Sequence, residues 1–175
     1  CRYYSGTPSP HKNPQDLDVI VYRENTEDIY MGIEWEADDN NCLKLINHIN
    51  NVVIPNSKNL KNRIIPEGSG IGIKPVSKSG SQRHIRKAIE HAKKLSRDKR
   101  HVTLVHKGNI MKFTEGAFRD WGYELAVTEF REDCITERES WILDNIQKNP
   151  EISIENNARK IEPGFEKLTN NKKAF

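Results

Sequence analysis

The sequence has 175 residues, a length that favours one domain, or one domain with an appendage. Its 28 basic and 25 acidic side chains give a formal charge of +3 with the two signs interleaved, so the basic stripe of a nucleic-acid-binding protein is absent. No apolar run approaches the ~20 residues that span a bilayer, which excludes a membrane-spanning helix. Three tryptophans, five tyrosines and five phenylalanines lie among apolar clusters, so the low apolar and high charged content does not imply disorder.

The apolar share of the sequence is low. Counting Ala, Val, Ile, Leu, Met, Phe, Trp, Cys and Gly, it is roughly 38%, against the usual 45–50% of globular domains. We therefore expect some apolar surface to be buried by material outside this sequence. The chain also begins at Cys1 without an initiator methionine or a leader peptide, and it ends at Phe175 in what reads as the start of a helix. We expect an internal piece of a longer protein.

The three cysteines predict neither a disulfide framework nor a zinc site. Cys1, Cys42 and Cys134 are far apart in the sequence, and no C-x-x-C spacing occurs. Unpaired cysteines are typical of a reducing compartment, so we expect a cytoplasmic protein.

The first half of the chain predicts short strands between loops, with one helix. Residues 1–16 hold the proline and glycine breakers of a loop, and the β-branched, apolar run at 17–22 predicts a buried strand. The alternation at 29–35 predicts a second strand, and the helical spacing of apolar residues predicts a helix over 41–51. Glycine alternating with isoleucine over 68–75 predicts a strand with a close backbone approach.

The second half predicts the alternation of helices and strands that defines an α/β protein. Residues 79–95 carry an i, i+3, i+4, i+7 apolar stripe, and Ser81 is a candidate N-cap of that helix. The run at 101–106 predicts a buried strand, and 113–130 predicts another helix after a turn. The remaining sequence is polar, with one more candidate helix around Ile142. Strand, helix, strand, turn and helix indicate the α/β class.

The predicted strand at 17–22 ends in polar residues, and strand ends are where α/β proteins place their sites. Arg23 follows this strand directly, and its guanidinium could hold a carboxylate through two hydrogen bonds. The alternative is a structural ion pair between Arg23 and one of the acidic residues that follow it, which are Glu24, Glu27 and Asp28.

Two further side chains could transfer protons. Tyr30 lies on the second predicted strand, and a phenol can deliver a proton when a nearby cation stabilises the phenolate. A tyrosine in an alternating strand can equally face the core. Lys107 follows the predicted strand at 101–106 and precedes Gly108, so it could be desolvated and act as a proton acceptor. The alternative is an ordinary solvated lysine at a strand end.

Several common sites are excluded by spacing. Gly68, Gly70 and Gly72 do not form G-x-G-x-x-G, and neither a phosphate-binding P-loop nor G-x-S-x-G nor H-E-x-x-H occurs. His101 and His106 would point to opposite faces of a strand, which makes them a poor metal pair. The residues alone therefore indicate an α/β protein that could bind a carboxylate.

Longer strings in the sequence resemble the prokaryotic NADP-dependent isocitrate dehydrogenases. They are RYYSGTPSP at 2–10, YRENTEDIY at 22–30, GIEW at 32–35, GIGIKP at 70–75 and the stretch 103–123, which includes VHKGNIMKFTEG. The resemblance extends over nearly the whole chain. The segment from Phe130 to Gly164 resembles an insertion of the cyanobacterial members.

The resemblance implies the oxidative decarboxylation of isocitrate to 2-oxoglutarate and CO₂ in the tricarboxylic acid cycle, with NADP⁺ taking the hydride and Mg²⁺ or Mn²⁺ polarising the hydroxyl. It implies that Arg23 holds a carboxylate of isocitrate and that Tyr30 protonates the carbon left by CO₂. Lys107 would work with Tyr30 in the active site of the other subunit of a homodimer, and Asn109 would line the pocket near the nicotinamide. The metal ligands and the residues that read the 2′-phosphate of NADP would lie outside this sequence.

The resemblance also implies an isocitrate/isopropylmalate dehydrogenase-like α/β fold, with a large domain mostly outside this sequence, a small domain, and a clasp that interlaces two subunits. Residues 1–27 and 78–130 would form the small domain, and 28–77 would form the clasp. Residues 131–175 would be a partly helical insertion. Burial by the partner subunit and the large domain would then account for the low apolar share. We expect the chain by itself to be inactive.

Two alternatives stay open. A sibling β-decarboxylating dehydrogenase would carry similar strings and act on isopropylmalate or homoisocitrate. A non-catalytic dimerisation module would need the clasp but would have no use for Arg23, Tyr30 and Lys107 together.

Overall fold

The structure, a computed structural model, describes residues 1–60, 62–96 and 100–161. The chain divides into two compact units, Cys1–Ser77 and Lys78–Phe175. The first unit contains helices near its centre and a two-stranded sheet, and the second contains two pairs of packed helices.

Helix α1 (Asn40–His48) organises the first unit. Asp39 caps its N-terminus, where the carboxylate accepts hydrogen bonds from two backbone N–H groups of the first turn (2.7 and 3.2 Å). The helix continues through a π-helical turn, Ile49–Val53, into α2 (Ile54–Asn56). Ile46 is buried on its apolar face. The predicted helix is confirmed, and it extends further towards the C-terminus than its apolar spacing indicates.

The sheet of the first unit consists of two short antiparallel strands, β1 (Glu34–Trp35) and β2 (Ile71–Gly72). Gly70 confirms the predicted close approach, because a Cβ there would lie 3.2 Å from a carbonyl oxygen of β1. The second predicted strand forms only at its end. The chain first makes a 3₁₀ turn, Asp28–Met31, which Gly32 ends in the left-handed region at φ +64°.

The buried strands predicted at 17–22 and 101–106 are wrong. The first run makes one isolated bridge to the N-terminal residues, and Val21 within it is 65% exposed. In the second run Val105 is 86% exposed. A strand is stable when neighbouring strands satisfy its backbone hydrogen bonds. The described part of this chain supplies no such neighbour beyond that one bridge.

Helices α3 (Lys78–Ala92) and α4 (Glu115–Thr128) pack together as the core of the second unit, and both predicted helices are confirmed. The buried side chains of this core are Ile85, Ile89, Leu125 and Phe130. Gly122 allows close packing, because a Cβ there would lie 2.6 Å from Cδ1 of Leu104 and 2.7 Å from Cδ1 of Ile85.

The polar contacts of α3 differ from the predicted N-cap. The helix begins at Lys78, so Ser81 lies within its first turn, where it is buried. Two exposed ion pairs join α3 to α4 and its C-terminal end, Lys78 with Glu124 (2.7 Å) and Arg86 with Glu129 (2.6 Å). Exposed pairs of this kind add little stability, so the apolar core holds the helices together.

A second helix pair follows in the same unit. α5 (Glu137–Lys148) begins with a capping box at Thr136, and it confirms the helix predicted around Ile142. α6 (Ile154–Ile161) has a mostly polar sequence in which Ile154, Ala158 and Ile161 follow helical spacing, and it was not among the predicted helices. Asn157 is fully buried, and its amide donates to two backbone carbonyl groups near the C-terminus of α5. None of the helices described in the chain is long and apolar enough to cross a membrane.

Candidate active site

Arg23 and Tyr30 are in contact in the first unit. The Arg23 guanidinium lies over the Tyr30 ring, with Cζ 5.0 Å from the ring centroid, and Nη2 donates a hydrogen bond to the Tyr30 hydroxyl. Both residues are exposed. The pair therefore presents a cation and a phenol hydroxyl side by side at the surface of the unit.

The carboxylates that could make Arg23 a structural residue are each held by other groups. Glu24 accepts hydrogen bonds from the turn that follows it. Glu27 and Asp28 both bind residues of the segment 74–77. These contacts favour a role for the Arg23 guanidinium outside local ion pairing.

The Glu24 carboxylate closes the turn next to Arg23. Its Oε1 accepts hydrogen bonds from the backbone N–H groups of Asn25 (3.0 Å), Thr26 (2.6 Å) and Glu27 (3.0 Å), and from the Thr26 hydroxyl (2.6 Å). Desolvation is the largest single influence and raises the pKa of Glu24. The hydrogen bonds together outweigh it and lower the pKa from 4.5 to about 2.

We expect this turn to lose stability in acid. Because the folded-state pKa of Glu24 lies below its ordinary value, the stabilisation is present above pH 4.5 and is lost as the pH falls to about 2. An NMR titration of the Glu24 carboxyl carbon should give a midpoint near pH 2. A midpoint at or above about 4, the range of an ordinary glutamate, would contradict the hydrogen-bonded turn. In the Glu24→Gln variant, the backbone amide resonances of the turn should not change with pH over this range, because the titrating carboxylate is gone.

The 3₁₀ turn Asp28–Met31 carries Tyr30, and it is fastened to the segment 74–77. The Asp28 N–H donates to the Pro75 carbonyl oxygen (2.9 Å), and the Asp28 carboxylate forms an ion pair with Lys74. The position of Tyr30 therefore depends on chain that lies far away in the sequence.

Lys107, in the second unit, begins a turn wedged against the N-terminus of α4. Its backbone N–H donates to Oε2 of Glu115 (3.1 Å), and the Gly108 N–H donates to Nδ1 of His106 (3.1 Å). Gly108 has no room for a side chain, because a Cβ there would lie 2.8 Å from Cα of Gly116. Lys107 itself is exposed. Its side chain therefore extends into solvent from a backbone that the contacts of Glu115 and Gly108 hold in place.

We expect Gly108→Ala to displace this turn. The added methyl group meets backbone atoms that cannot rotate away, so the free energy of unfolding should fall by about 1–3 kcal/mol in equilibrium urea denaturation. Gly72→Ala is the matched control, because its Cβ would meet nothing closer than 4.0 Å. Equal stability of the two variants would contradict the tight packing of Gly108.

Asn109 lies in the same turn as Lys107 and is exposed. Each unit thus holds one pair of the predicted site residues: Arg23 with Tyr30 in the first, and Lys107 with Asn109 in the second. The first pair is in direct contact, and the second shares one turn.

Within residues 1–60, 62–96 and 100–161, no three side chains of His, Cys, Asp or Glu come together as metal ligands. The site residues by themselves therefore do not fit a divalent cation. The chemistry that Arg23, Tyr30 and Lys107 can perform is the binding of an anion and the transfer of protons.

Two contributors to the site have roles that the sequence does not single out. Glu24 precedes Asn25 and Thr26, residue types common in turns, so the turn has a local signal but the closing carboxylate of Glu24 does not. Lys74 has none, because its partner Asp28 lies 46 positions away.

Comparisons with known proteins point to one family. A family model described as isocitrate/isopropylmalate dehydrogenase matches residues 1–157. The NADP isocitrate dehydrogenases of Nostoc sp. and Synechocystis sp. are 65% and 62% identical over 174 residues, which is 99% of this chain. That of Archaeoglobus fulgidus is 51% identical over 139 residues, or 79% of the chain. The chain spans 37% of the length of the first two relatives and 31% of the third.

Proposed function

The chain belongs to the isocitrate/isopropylmalate dehydrogenase family, and from this we propose that it is part of an NADP-dependent isocitrate dehydrogenase that oxidatively decarboxylates isocitrate. The observation that carries the proposal is the exposed contact between Arg23 and Tyr30. It sets a cation that can hold a carboxylate beside a hydroxyl that can donate a proton, and the reaction needs both.

Arg23 is the proposed substrate-binding residue. Isocitrate carries three carboxylates, and a guanidinium can bind one of them through two parallel hydrogen bonds that also fix its orientation. The Glu24 turn supports this role, because it holds the backbone next to Arg23 and leaves the guanidinium exposed.

Tyr30 is the proposed proton donor. NADP⁺, when bound, would accept the hydride from the hydroxyl-bearing carbon of isocitrate, and Lys107 is the proposed acceptor of the hydroxyl proton. The resulting β-keto acid loses CO₂, and the electrons of the broken C–C bond remain as an enolate. The Tyr30 hydroxyl gives its proton to the enolate carbon, and the adjacent Arg23 cation stabilises the phenolate that is left.

Lys107 is proposed to work with Tyr30 across a homodimer, as a proton acceptor in the active site of the partner subunit. An exposed lysine on a backbone held by Gly108 and Glu115 is suited to reach beyond its own unit. Asn109, in the same turn, is the proposed neighbour of the nicotinamide.

Mg²⁺ or Mn²⁺ is the proposed metal of the complete enzyme, and when bound it would polarise the substrate hydroxyl. The described residues assemble no ligand set for such a cation. The steps assigned to this chain are therefore anion binding by Arg23 and proton transfer by Tyr30 and Lys107.

We propose that residues 28–77 form the clasp of the homodimer, that 1–27 and 78–130 belong to the small domain, and that 131–175 are an insertion. The exposed apolar side chains of 17–22 support this assignment, because they would pair with strands outside this sequence. The reaction is a step of the tricarboxylic acid cycle, and three free cysteines support a reducing compartment such as the cytoplasm.

Steady-state kinetics of the complete enzyme tests this function. NADPH formation is followed with isocitrate, isopropylmalate and homoisocitrate as substrates. We expect kcat/KM to be at least about 10²-fold higher for isocitrate, since the site must pair each carboxylate of the correct acid. Turnover of isopropylmalate without turnover of isocitrate would assign the chain to a sibling enzyme. A dimer that turns over none of the three acids would be a dimerisation module.

A further inference from the structure

The side chains of four residues help to join the turn that carries Tyr30 to the segment 74–77. They are Glu27, Asp28, Lys74 and Ser77, and they are named the neck. The neck lies where the chain enters and leaves the region 28–77. Its residue Asp28 lies two positions before Tyr30. No proposed catalytic or substrate-binding residue belongs to it.

Asp28 in the neck has an unfavourable backbone conformation. Its φ is +65°, in the left-handed region that residues other than glycine rarely occupy. Such a conformation persists only when surrounding contacts impose it. The Asp28 N–H donates to the Pro75 carbonyl oxygen (2.9 Å), and Oδ1 accepts from the Ile29 N–H (2.6 Å). These bonds turn the chain sharply into the residues that lead to Tyr30.

Lys74 completes the set of contacts that hold Asp28. Its ammonium pairs with Oδ2 of Asp28, and the two side chains are only 25% and 22% exposed, so solvent screens the pair weakly. A second connection runs alongside, where the Glu27 carboxylate accepts from the Ser77 N–H (2.9 Å) and the Ser77 hydroxyl (2.5 Å). Lys74 thus provides the cation that pairs with the carboxylate of the left-handed residue, Asp28.

We propose that Lys74 is a positioning residue, which through Asp28 sets the Tyr30 hydroxyl against Arg23 and the substrate. The proposal rests on the proposed function, since it takes Tyr30 as the proton donor. Substrate binding depends on Arg23, and the turn after it is closed by hydrogen bonds from Asn25, Thr26 and Glu27 to Glu24, none of which the Lys74–Asp28 pair makes. Loss of the ion pair should therefore misplace the proton donor and leave the carboxylate site largely intact.

Three variants of the complete enzyme isolate this ion pair. Lys74→Met removes the cation at similar length, and Lys74→Arg keeps it. Asp28→Asn removes the charge of the partner but keeps an oxygen for the Ile29 N–H, and asparagine tolerates a positive φ. Lys78→Met is the matched control, because it breaks the exposed Lys78–Glu124 pair of another element.

Lys74→Met should lower kcat about 10- to 100-fold with KM for isocitrate within about threefold, because a misplacement of about 1 Å can cost up to about 10²-fold in rate. Asp28→Asn should give a similar loss. The double variant Lys74→Met/Asp28→Asn should be no worse than either single variant, because each substitution removes the same ion pair. Lys74→Arg should restore most of kcat, and Lys78→Met should leave kcat and KM unchanged.

The neck proposal is overturned if Lys74→Met keeps kcat within about twofold of the parent while Tyr30→Phe is strongly impaired; the proposed function then stands. It is also overturned if Lys74→Arg is as impaired as Lys74→Met and both melt earlier, since the role is then structural. If Tyr30→Phe keeps the parental kcat, the assignment of Tyr30 fails and the neck proposal fails with it.

Discussion

Tyr30→Phe should lower kcat for isocitrate by about 10²- to 10⁴-fold in the complete enzyme, the range that a positioned general acid contributes. The phenyl ring keeps the contact with the Arg23 guanidinium, so only the transferable proton and one hydrogen bond are lost. KM should change little, because the hydroxyl acts after the substrate is bound. NADPH formation and release of 2-oxoglutarate are measured separately, which shows whether oxidation continues when protonation is slow.

Tyr123→Phe is the matched control for this substitution. Tyr123 lies on α4 and is 40% exposed, against 41% for Tyr30, so the two changes each remove a hydroxyl from a tyrosine of nearly equal overall exposure. We expect Tyr123→Phe to keep the parental kcat. Equal kcat in both variants would contradict the role of Tyr30 as the proton donor.

Arg23→Lys should lower kcat/KM for isocitrate by about 10- to 100-fold, mainly through a higher KM. A lysine retains the charge, but it cannot make two parallel hydrogen bonds to a carboxylate. Its ammonium would also approach the Tyr30 ring differently from the planar guanidinium, so a smaller fall in kcat should accompany the rise in KM. Initial rates over a range of isocitrate concentrations give both constants.

The control for Arg23→Lys is Arg119→Lys. Arg119 pairs with its neighbour Asp120 on the surface of α4, and it has no part in the proposed site. Its substitution should leave KM unchanged. An unchanged KM in Arg23→Lys as well would show that the guanidinium does not hold the substrate.

The helices were predictable because their stabilising contacts are local. The stripe in α3 places Ile85 and Ile89 on one face, and hydrogen bonds within the helix satisfy its backbone wherever that face is buried. The start of α3 was less predictable, since several residues near Ser81 could cap it. Which residue does so depends on backbone angles that sequence does not determine.

The run at 17–22 shows the limit of pattern reading. Strand stability comes mostly from contacts with neighbouring strands. The β-branched residues of this run therefore form a buried strand only where such neighbours are present. In the described chain it is exposed. Val105 is exposed for the same reason in the run at 101–106. A composition low in apolar residues is consistent with such runs finding partners elsewhere.

The site divides in the same way. Arg23, Tyr30 and Lys107 could be proposed as site residues because they lie in long strings shared with a family. The pairing of Lys74 with Asp28 was not, since it joins residues 46 positions apart and depends on the left-handed backbone of Asp28. Contacts that position a reactive group are tertiary, and a local sequence pattern does not report them.

The proposed function requires that Tyr30 of one subunit and Lys107 of its partner serve one active site. Mixed dimers of inactive Tyr30→Phe and Lys107→Met subunits test it most directly. If the residues act across the dimer, each mixed dimer has one site with both side chains intact, and random mixing of equal amounts should restore about a quarter of the parental activity. If activity stays at the level of the separate variants although mixed dimers form, Lys107 acts within its own subunit or not at all, and the account is contradicted.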